Sequence, residues 1–231
     1  MDAGSFVFEA EGVRWSDDIM RPSYGAWNEA LRAAESPRIY NAQEGKMWDT
    51  FHVSNLCHST IVSYTNDGSV KGKLHSSDYY VDGFASIDET IDSDGRQGAV
   101  VNLTEPMKGQ VKKAVRKIEL VDGVDLVVTD QITALDQMDC SLEWRMLSFS
   151  SSSLGTAGVT LSKDGKERTL MAVSDDESVT PKYRLWTTDK PVGDGWGVLN
   201  FHPKISNRTI AGWSATVPKG KTVTFVTTLK K

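Results

Sequence analysis

The sequence predicts an all-β protein: a layered, supersandwich-like antiparallel β-sandwich followed by a smaller antiparallel β-sheet unit, with one short helix. Three observations lead to this prediction. Many short segments are rich in β-branched and aromatic residues. Tight-turn sequences such as Asp122-Gly123 separate them, and only one stretch has clear helical periodicity. The chain has 231 residues, 39% of them hydrophobic, which is enough to bury a sizeable core.

The first two predicted strands lie at the N-terminus, at residues 5–10 and 13–15, with Glu11-Gly12 as the turn between them. Most domains begin with a few loosely held residues. A strand of core quality this close to Met1 therefore suggests that an upstream segment has been removed.

The helix is expected at residues 25–35, where Trp27, Leu31 and Ala34 recur at helical spacing. Residues 111–121 also fit a helical stripe, but a hairpin at Asp122-Gly123 needs a strand on both sides, so a strand is favoured there. The turn sequence Asn66-Asp67-Gly68 predicts a second hairpin, with residues 69–75 as the partner strand.

Four consecutive serines at residues 150–153 interrupt the strand pattern and have little to bury. They place a boundary between a β-sandwich domain at residues 1–150 and a smaller β-sheet domain at residues 151–231. Further strands are expected at residues 159–162, 168–173, 182–187, 209–217 and 221–229.

Composition excludes several classes of partner. The net charge is -5 with acidic and basic residues interspersed, so no basic patch is present to bind nucleic acid. No apolar run approaches the roughly 20 residues needed to span a membrane, and the N-terminus has no signal-peptide pattern. Two cysteines, Cys57 and Cys140, are too few for a disulfide framework. They are predicted to be buried free thiols, or a pair if the fold brings them together.

The stretch from residue 48 to residue 61 is the best candidate site, because it places two of the four histidines and Cys57 just before a β-branched strand. A rigid sheet could present such a polar cluster to a metal or a sugar. The alternative is that His52 and His58 are ordinary hydrogen-bonded strand residues. Six aromatic residues could stack on sugar rings, although packing is the more usual role: Tyr24, Trp27, Tyr79, Tyr80, Trp186 and Trp196.

Three segments resemble the C-terminal β region of heparinase II/III-type polysaccharide lyases. Residues 2–18 include Gly4-Ser5-Phe6 and Arg14-Trp15, and they are similar to the family's opening, in which a His-x-His-x-Asp motif runs into a Gly-Ser-Phe strand and Arg-Trp-x-x-Asp follows. His58-Ser59-Thr60-Ile61 is similar to the family's His-Asn-Thr-Leu. Residues 115–130 and 143–146 resemble later sandwich strands.

The resemblance implies the β part of an enzyme that cleaves uronate-containing polysaccharides by β-elimination. That reaction needs the uronate carboxylate neutralised, a base for the C5 proton and an acid for the leaving oxygen. In the family these groups come from an N-terminal α/α toroid and from the first His of His-x-His. Neither is in this sequence, so the isolated chain is expected to be inactive. The implied partners are an acidic polysaccharide and the missing toroid, and the implied location is periplasmic or secreted. The alternative is a non-catalytic carbohydrate-binding or assembly module.

The resemblance also implies a metal site. The family holds a structural divalent metal, usually zinc, with the second motif His, the Asp after Arg-Trp and the His of His-Asn-Thr. The last two correspond to Asp18 and His58, with Asp17 as the fallback if the register slips by one. Ser59 stands where the family has Asn. Two protein ligands seldom hold zinc tightly, so a weak or empty remnant site is expected.

Overall fold

A computed structural model describes residues 2–19, the positions Gly25, Asn28, Glu29 and Arg32, and residues 51–70, 79–188 and 208–231. The predicted all-β antiparallel class is confirmed. The strands in the described ranges are β1 (Phe8–Ala10), β2 (Val13–Ser16), β3 (Ile61–Ser63), β4 (Ser86–Ser93), β5 (Arg96–Asn102), β6 (Lys113–Val121), β7 (Asp125–Thr133), β8 (Cys140–Ser148), β9 (Ser151–Leu154), β10 (Val159–Lys163), β11 (Lys166–Ser174), β12 (Lys182–Thr187), β13 (Thr209–Val217) and β14 (Thr222–Lys230). Two 3-10 turns, Phe51–Val53 and Asn55–Cys57, precede β3. None of the described segments is a helix long and apolar enough to cross a membrane.

Two antiparallel sheets form the layers of a sandwich. The large sheet has the order β4-β5-β6-β7-β14-β11-β10-β9, and the small sheet has the order β12-β13-β8-β3. Side chains alternate across each strand, so one face of each sheet is buried between the layers. Trp213 of the small sheet packs on Phe225 of the large sheet with ring centroids 4.7 Å apart, and its indole NH donates to Thr227 Oγ1 at 2.9 Å. The separate hairpin β1-β2 contributes Phe8 and Trp15 to the same core.

The predicted boundary at residue 150 does not divide the strands into two domains. It falls between β8 and β9, where the chain passes from the small sheet to the large one. Strand β14 is hydrogen-bonded to β7, and β13 to β8, so both sheets contain strands from each side of the boundary. The serine run was misinterpreted because β9 is an edge strand with largely exposed side chains, which needs few apolar residues.

The turn predictions had mixed outcomes. Glu11-Gly12 and Asp122-Gly123 both adopt positive φ values, as a tight hairpin turn requires, and each connects a paired set of strands. The hairpin predicted around Asn66-Asp67-Gly68 is different: β3 pairs with β8, and Ser69 and Val70 are not in a strand. The rest of that predicted partner strand lies outside the described residues. Of the predicted helix, Gly25, Asn28, Glu29 and Arg32 are helical, and the other positions lie outside the described residues.

A second apolar cluster covers part of the outer face of the small sheet. Leu147, Ile210 and Val62 point away from the sandwich core, because each alternates with a core residue of its strand. The 3-10 turns cover them from outside, with Phe51 and Leu56 fully buried. This covering segment positions the candidate site that follows it.

The N-terminal segment is anchored by a buried ion pair of the large sheet. Arg116 Nε donates to Asp130 Oδ1 at 2.7 Å, and both side chains are inaccessible to solvent. The same guanidinium donates to the carbonyl oxygens of Gly4 at 3.0 Å and Ser59 at 3.4 Å. The predicted motif segments at residues 2–18 and 58–61 are thereby held side by side.

Candidate metal centre

Asp18 and His58 are 40 residues apart in the sequence, and the fold brings them into contact. Asp18 follows the end of β2, where the backbone NH of Asp17 donates to the carbonyl oxygen of Leu147 at 3.0 Å. His58 directly follows the second 3-10 turn. The hydroxyls of Ser16 and Ser59 are 2.8 Å apart and join the two segments beside the site. Ser59 therefore connects the two segments that carry Asp18 and His58.

The side chains of Asp18 and His58 are hydrogen-bonded. His58 Nδ1 lies 3.0 Å from Asp18 Oδ1 and 3.2 Å from Oδ2. Asp17 is not positioned for this role, because one of its carboxylate oxygens accepts the backbone NH of Asp18 and lies 3.7 Å from Arg14. The carboxylate next to His58 is therefore that of Asp18, the residue that the sequence resemblance favoured, and not that of the fallback Asp17.

Cys57 joins these two residues, which the sequence interpretation did not anticipate. One potential ligand atom each from Asp18, Cys57 and His58 lies within 4.8 Å of the others. Cys57 and His58 are adjacent in sequence, and in a strand their side chains would point to opposite faces. Here they lie at the end of a 3-10 turn, so both reach the same side. The adjacent Cys57 and His58 were the sequence signal for a shared metal site. Two adjacent residues can serve one site only where the backbone is not a regular strand, and the sequence did not show that.

The groups around His58 favour its protonated form. Burial opposes the imidazolium, but the neighbouring Cys57 and the hydrogen bond that Nδ1 donates to Asp18 outweigh burial and raise the pKa of His58 to about 10. His58 is mostly buried, whereas Asp18 is partly open to solvent. The surroundings of His58 therefore favour a positive charge at this position.

The donor set suits a zinc-like metal. Zinc is commonly bound by thiolate sulfur, imidazole nitrogen and carboxylate oxygen, with bond lengths of about 2.0–2.3 Å and a tetrahedral arrangement. Those values place neighbouring donor atoms about 3.3–3.8 Å apart, so the existing cluster, within 4.8 Å, needs only small adjustments. Metal binding would displace the proton of His58 and would therefore release it to solvent.

The two cysteines have different surroundings. Both are buried free thiols, as predicted, rather than a disulfide. Cys140 Sγ lies 3.5 Å from the hydroxyl of Ser63, and burial raises the pKa of this thiol. Among the described residues Cys140 has no part in a group of three metal donors. For His52, the structure describes only the backbone, which lies in the first 3-10 turn.

The chain was compared with known proteins at three levels. No family model and no curated protein matches its sequence. Among solved structures, a heparinase III with methylated lysines matches 99% of this chain with a TM-score of 0.61 and 14% identity. A further heparinase III structure matches 99% with a TM-score of 0.60 and 11% identity. A heparan sulfate lyase from Pedobacter heparinus matches 99% with a TM-score of 0.57 and 13% identity.

The chain spans only 29–30% of the length of these three proteins. At such low identity the likeness concerns the fold, and it agrees with the resemblance found in the sequence motifs. Nearly the whole chain therefore has the fold of a segment that makes up about three tenths of heparinase III.

Proposed function

We propose that this chain is the β-sandwich portion of a polysaccharide lyase that acts by β-elimination on uronate-containing polysaccharides. The observation that carries the proposal is the fold likeness to heparinase III over 99% of the chain. The contact between Asp18 and His58 supports it, because the sequence motifs that resemble this lyase family single out these two residues.

The described residues suit a supporting role better than a catalytic one. Elimination needs a base that is unprotonated at working pH to remove the C5 proton. His58 does not fit, because it is mostly buried and its Nδ1 is hydrogen-bonded to Asp18. We assign the catalytic groups to a toroid domain of the whole protein. We also propose a periplasmic or secreted location for the whole protein, because such polymers are found there.

The proposal includes a structural divalent metal, zinc by preference, held by Asp18, Cys57 and His58. The sequence alone suggested two donors and hence weak binding. A third donor raises the expected affinity, since zinc sites with three protein ligands are common. The metal would fasten the end of β2 to the segment that covers the small sheet. Its role is to stabilise this edge of the sandwich.

An absorbance assay for the unsaturated uronate product tests the functional assignment. The purified chain is incubated with heparan sulfate, hyaluronan and alginate, with an active lyase as the positive control. We expect no product from the chain alone. Product formation would contradict the supporting role. Sequencing the source DNA directly upstream of the first codon is the complementary test, and we expect it to encode an α/α toroid.

A non-catalytic carbohydrate-binding module is the second candidate function. A polar groove on the outer face of the small sheet favours it, since binding there would not need a toroid. The upstream sequence separates the two functions, because a reading frame without a toroid would favour the binding module.

A further inference from the structure

A polar groove lies on the outer face of the small sheet. It adjoins the part of that face that the two 3-10 turns cover. Its volume is about 530 Å³, within the roughly 300–1,000 Å³ typical of small-molecule sites. Strands β8, β12 and β13 form its floor, residues 178–180 form one wall, and Tyr64 contributes from the end of β3. The groove is separate from the metal donors, none of which line it.

Two cations project from the edge strand β12 into this groove. Lys182 lies opposite Ser214, and Arg184 lies opposite Gly212, so their side chains share the outward face of the sheet. Both are exposed. No carboxylate in the described part of the chain is within ion-pair distance of either one. Their charge is therefore available to an anion, although the 231-residue chain has a net charge of -5.

Among the described residues, Glu143 is the carboxylate that lines this floor, and it is already neutralised. Arg145 donates to Glu143 Oε2 from Nε at 2.9 Å and from Nη2 at 2.5 Å, and the hydroxyl of Tyr64 donates to the same oxygen at 2.7 Å. Burial is the main cause that raises the pKa of Tyr64, so its hydroxyl stays protonated and remains a donor. Glu143 therefore does not cancel the charges of Lys182 and Arg184.

The floor is also rigid. The guanidinium of Arg145 is buried and lies 4.6 Å from the ring centre of Trp186, which fixes its direction. Gly212 permits this arrangement, because a Cβ at that position would overlap the backbone of Trp144 and crowd the ring of Trp186. A preorganised floor reduces the entropy lost when a ligand binds.

We infer that this groove binds an anionic segment of an oligosaccharide. Lys182 and Arg184 pair with a carboxylate or sulfate group, and the hydroxyls of Ser214 and Thr216, which also line the groove, bind sugar hydroxyls. This inference rests on the proposed function and deepens it, since it places a contact with the polymer on the face of the sandwich and away from the catalytic groups.

Calorimetric titration of the full chain tests the inference with three oligosaccharides of equal length. Hyaluronan carries carboxylates, heparan sulfate carries carboxylates and sulfates, and dextran is uncharged. We expect both anionic ligands to bind and dextran not to bind. Binding by heparan sulfate alone would identify sulfate as the recognised group, and equal binding by both would identify the carboxylate.

Two variants with the same loss of charge separate the groove from general attraction. We expect the double variant K182Q/R184Q to weaken binding roughly tenfold, because each partly exposed ion pair contributes modestly. The matched control K113Q/K230Q removes two exposed lysines of the large sheet and should leave affinity unchanged within about twofold. The variant S214Y fills the groove without changing charge and should abolish binding. Thermal unfolding of each variant verifies that it is folded.

Equal weakening by the two double variants, or unchanged binding by S214Y, would overturn the inference. So would the absence of any binding by the unmodified chain. These failures are distinct from failure of the proposed function, which is decided by the upstream coding sequence and by the product assay. If the chain is encoded next to a toroid but binds no anionic oligosaccharide, the groove assignment fails and the proposed function stands.

Discussion

Replacing Cys57 by Ser is the most direct test of the metal centre. Serine keeps the size of the side chain and removes the thiolate, the donor in the cluster that zinc binds most readily. The two remaining donors, Asp18 and His58, are 3.0 Å apart but seldom suffice to hold zinc. We expect C57S to bind zinc far more weakly than the unmodified chain.

The size of the effect follows from the linkage between binding and folding. Free zinc at 100 times its dissociation constant stabilises the folded chain by about 2.7 kcal/mol. In a chain of 231 residues this raises the midpoint of thermal unfolding by roughly 5–11 °C. Changes to residues that merely support a metal ligand cost about 10- to 100-fold in affinity, so loss of a ligand should cost at least about 100-fold. At the same zinc concentration C57S would retain about 0.4 kcal/mol of stabilisation.

The measurement is the zinc-dependent change in unfolding midpoint, supported by metal analysis after dialysis. For each variant, the midpoint without zinc is subtracted from the midpoint with zinc. Any loss of stability that the substitution itself causes is present in both values and cancels. Cys140 is the matched control, because it is the other buried free thiol and lies outside the donor group. We expect C140S to keep the full zinc effect. Equal zinc effects in C57S and the unmodified chain would refute the assignment of Cys57 as a ligand.

Two further predictions concern stability. Burial opposes ionisation of Glu119, but hydrogen bonds from Lys117 and Arg96 outweigh it and lower the pKa of Glu119 below its ordinary value of 4.5. Its contribution is present above pH 4.5 and is lost as the pH falls through the lowered pKa. Urea unfolding should therefore show E119Q less stable by about 0.5–1 kcal/mol at pH 7, a small figure because both cations are well exposed. The deficit should shrink as the pH is lowered below 4.5. A deficit that does not change with pH would mean that charge is not the cause. G212A should lose about 1–3 kcal/mol in the same assay, because a Cβ there overlaps the neighbouring strand. The control G155A, where the added Cβ makes only an ordinary contact, should change little, and equal losses would argue against the packing explanation.

Much of the fold could be predicted because its signals are local. Alternating apolar residues in β7 correspond to alternating burial in the structure. The Asp122-Gly123 turn determined that residues 111–121 form a strand, which β6 confirms. The pairing of β3 with β8 and of β7 with β14 could not be predicted, because partners far apart in the chain leave no local signal.

The sequence by itself determined the all-β class, most strand positions and the residues Asp18 and His58 as a candidate pair. Only the tertiary structure decided that their side chains meet and that Cys57 joins them. It also decided that Lys182, Arg184 and a neutralised Glu143 line one groove. The physical reason is that secondary structure follows from residues a few positions apart. A site depends instead on which faces and strand ends the packed sheets bring together.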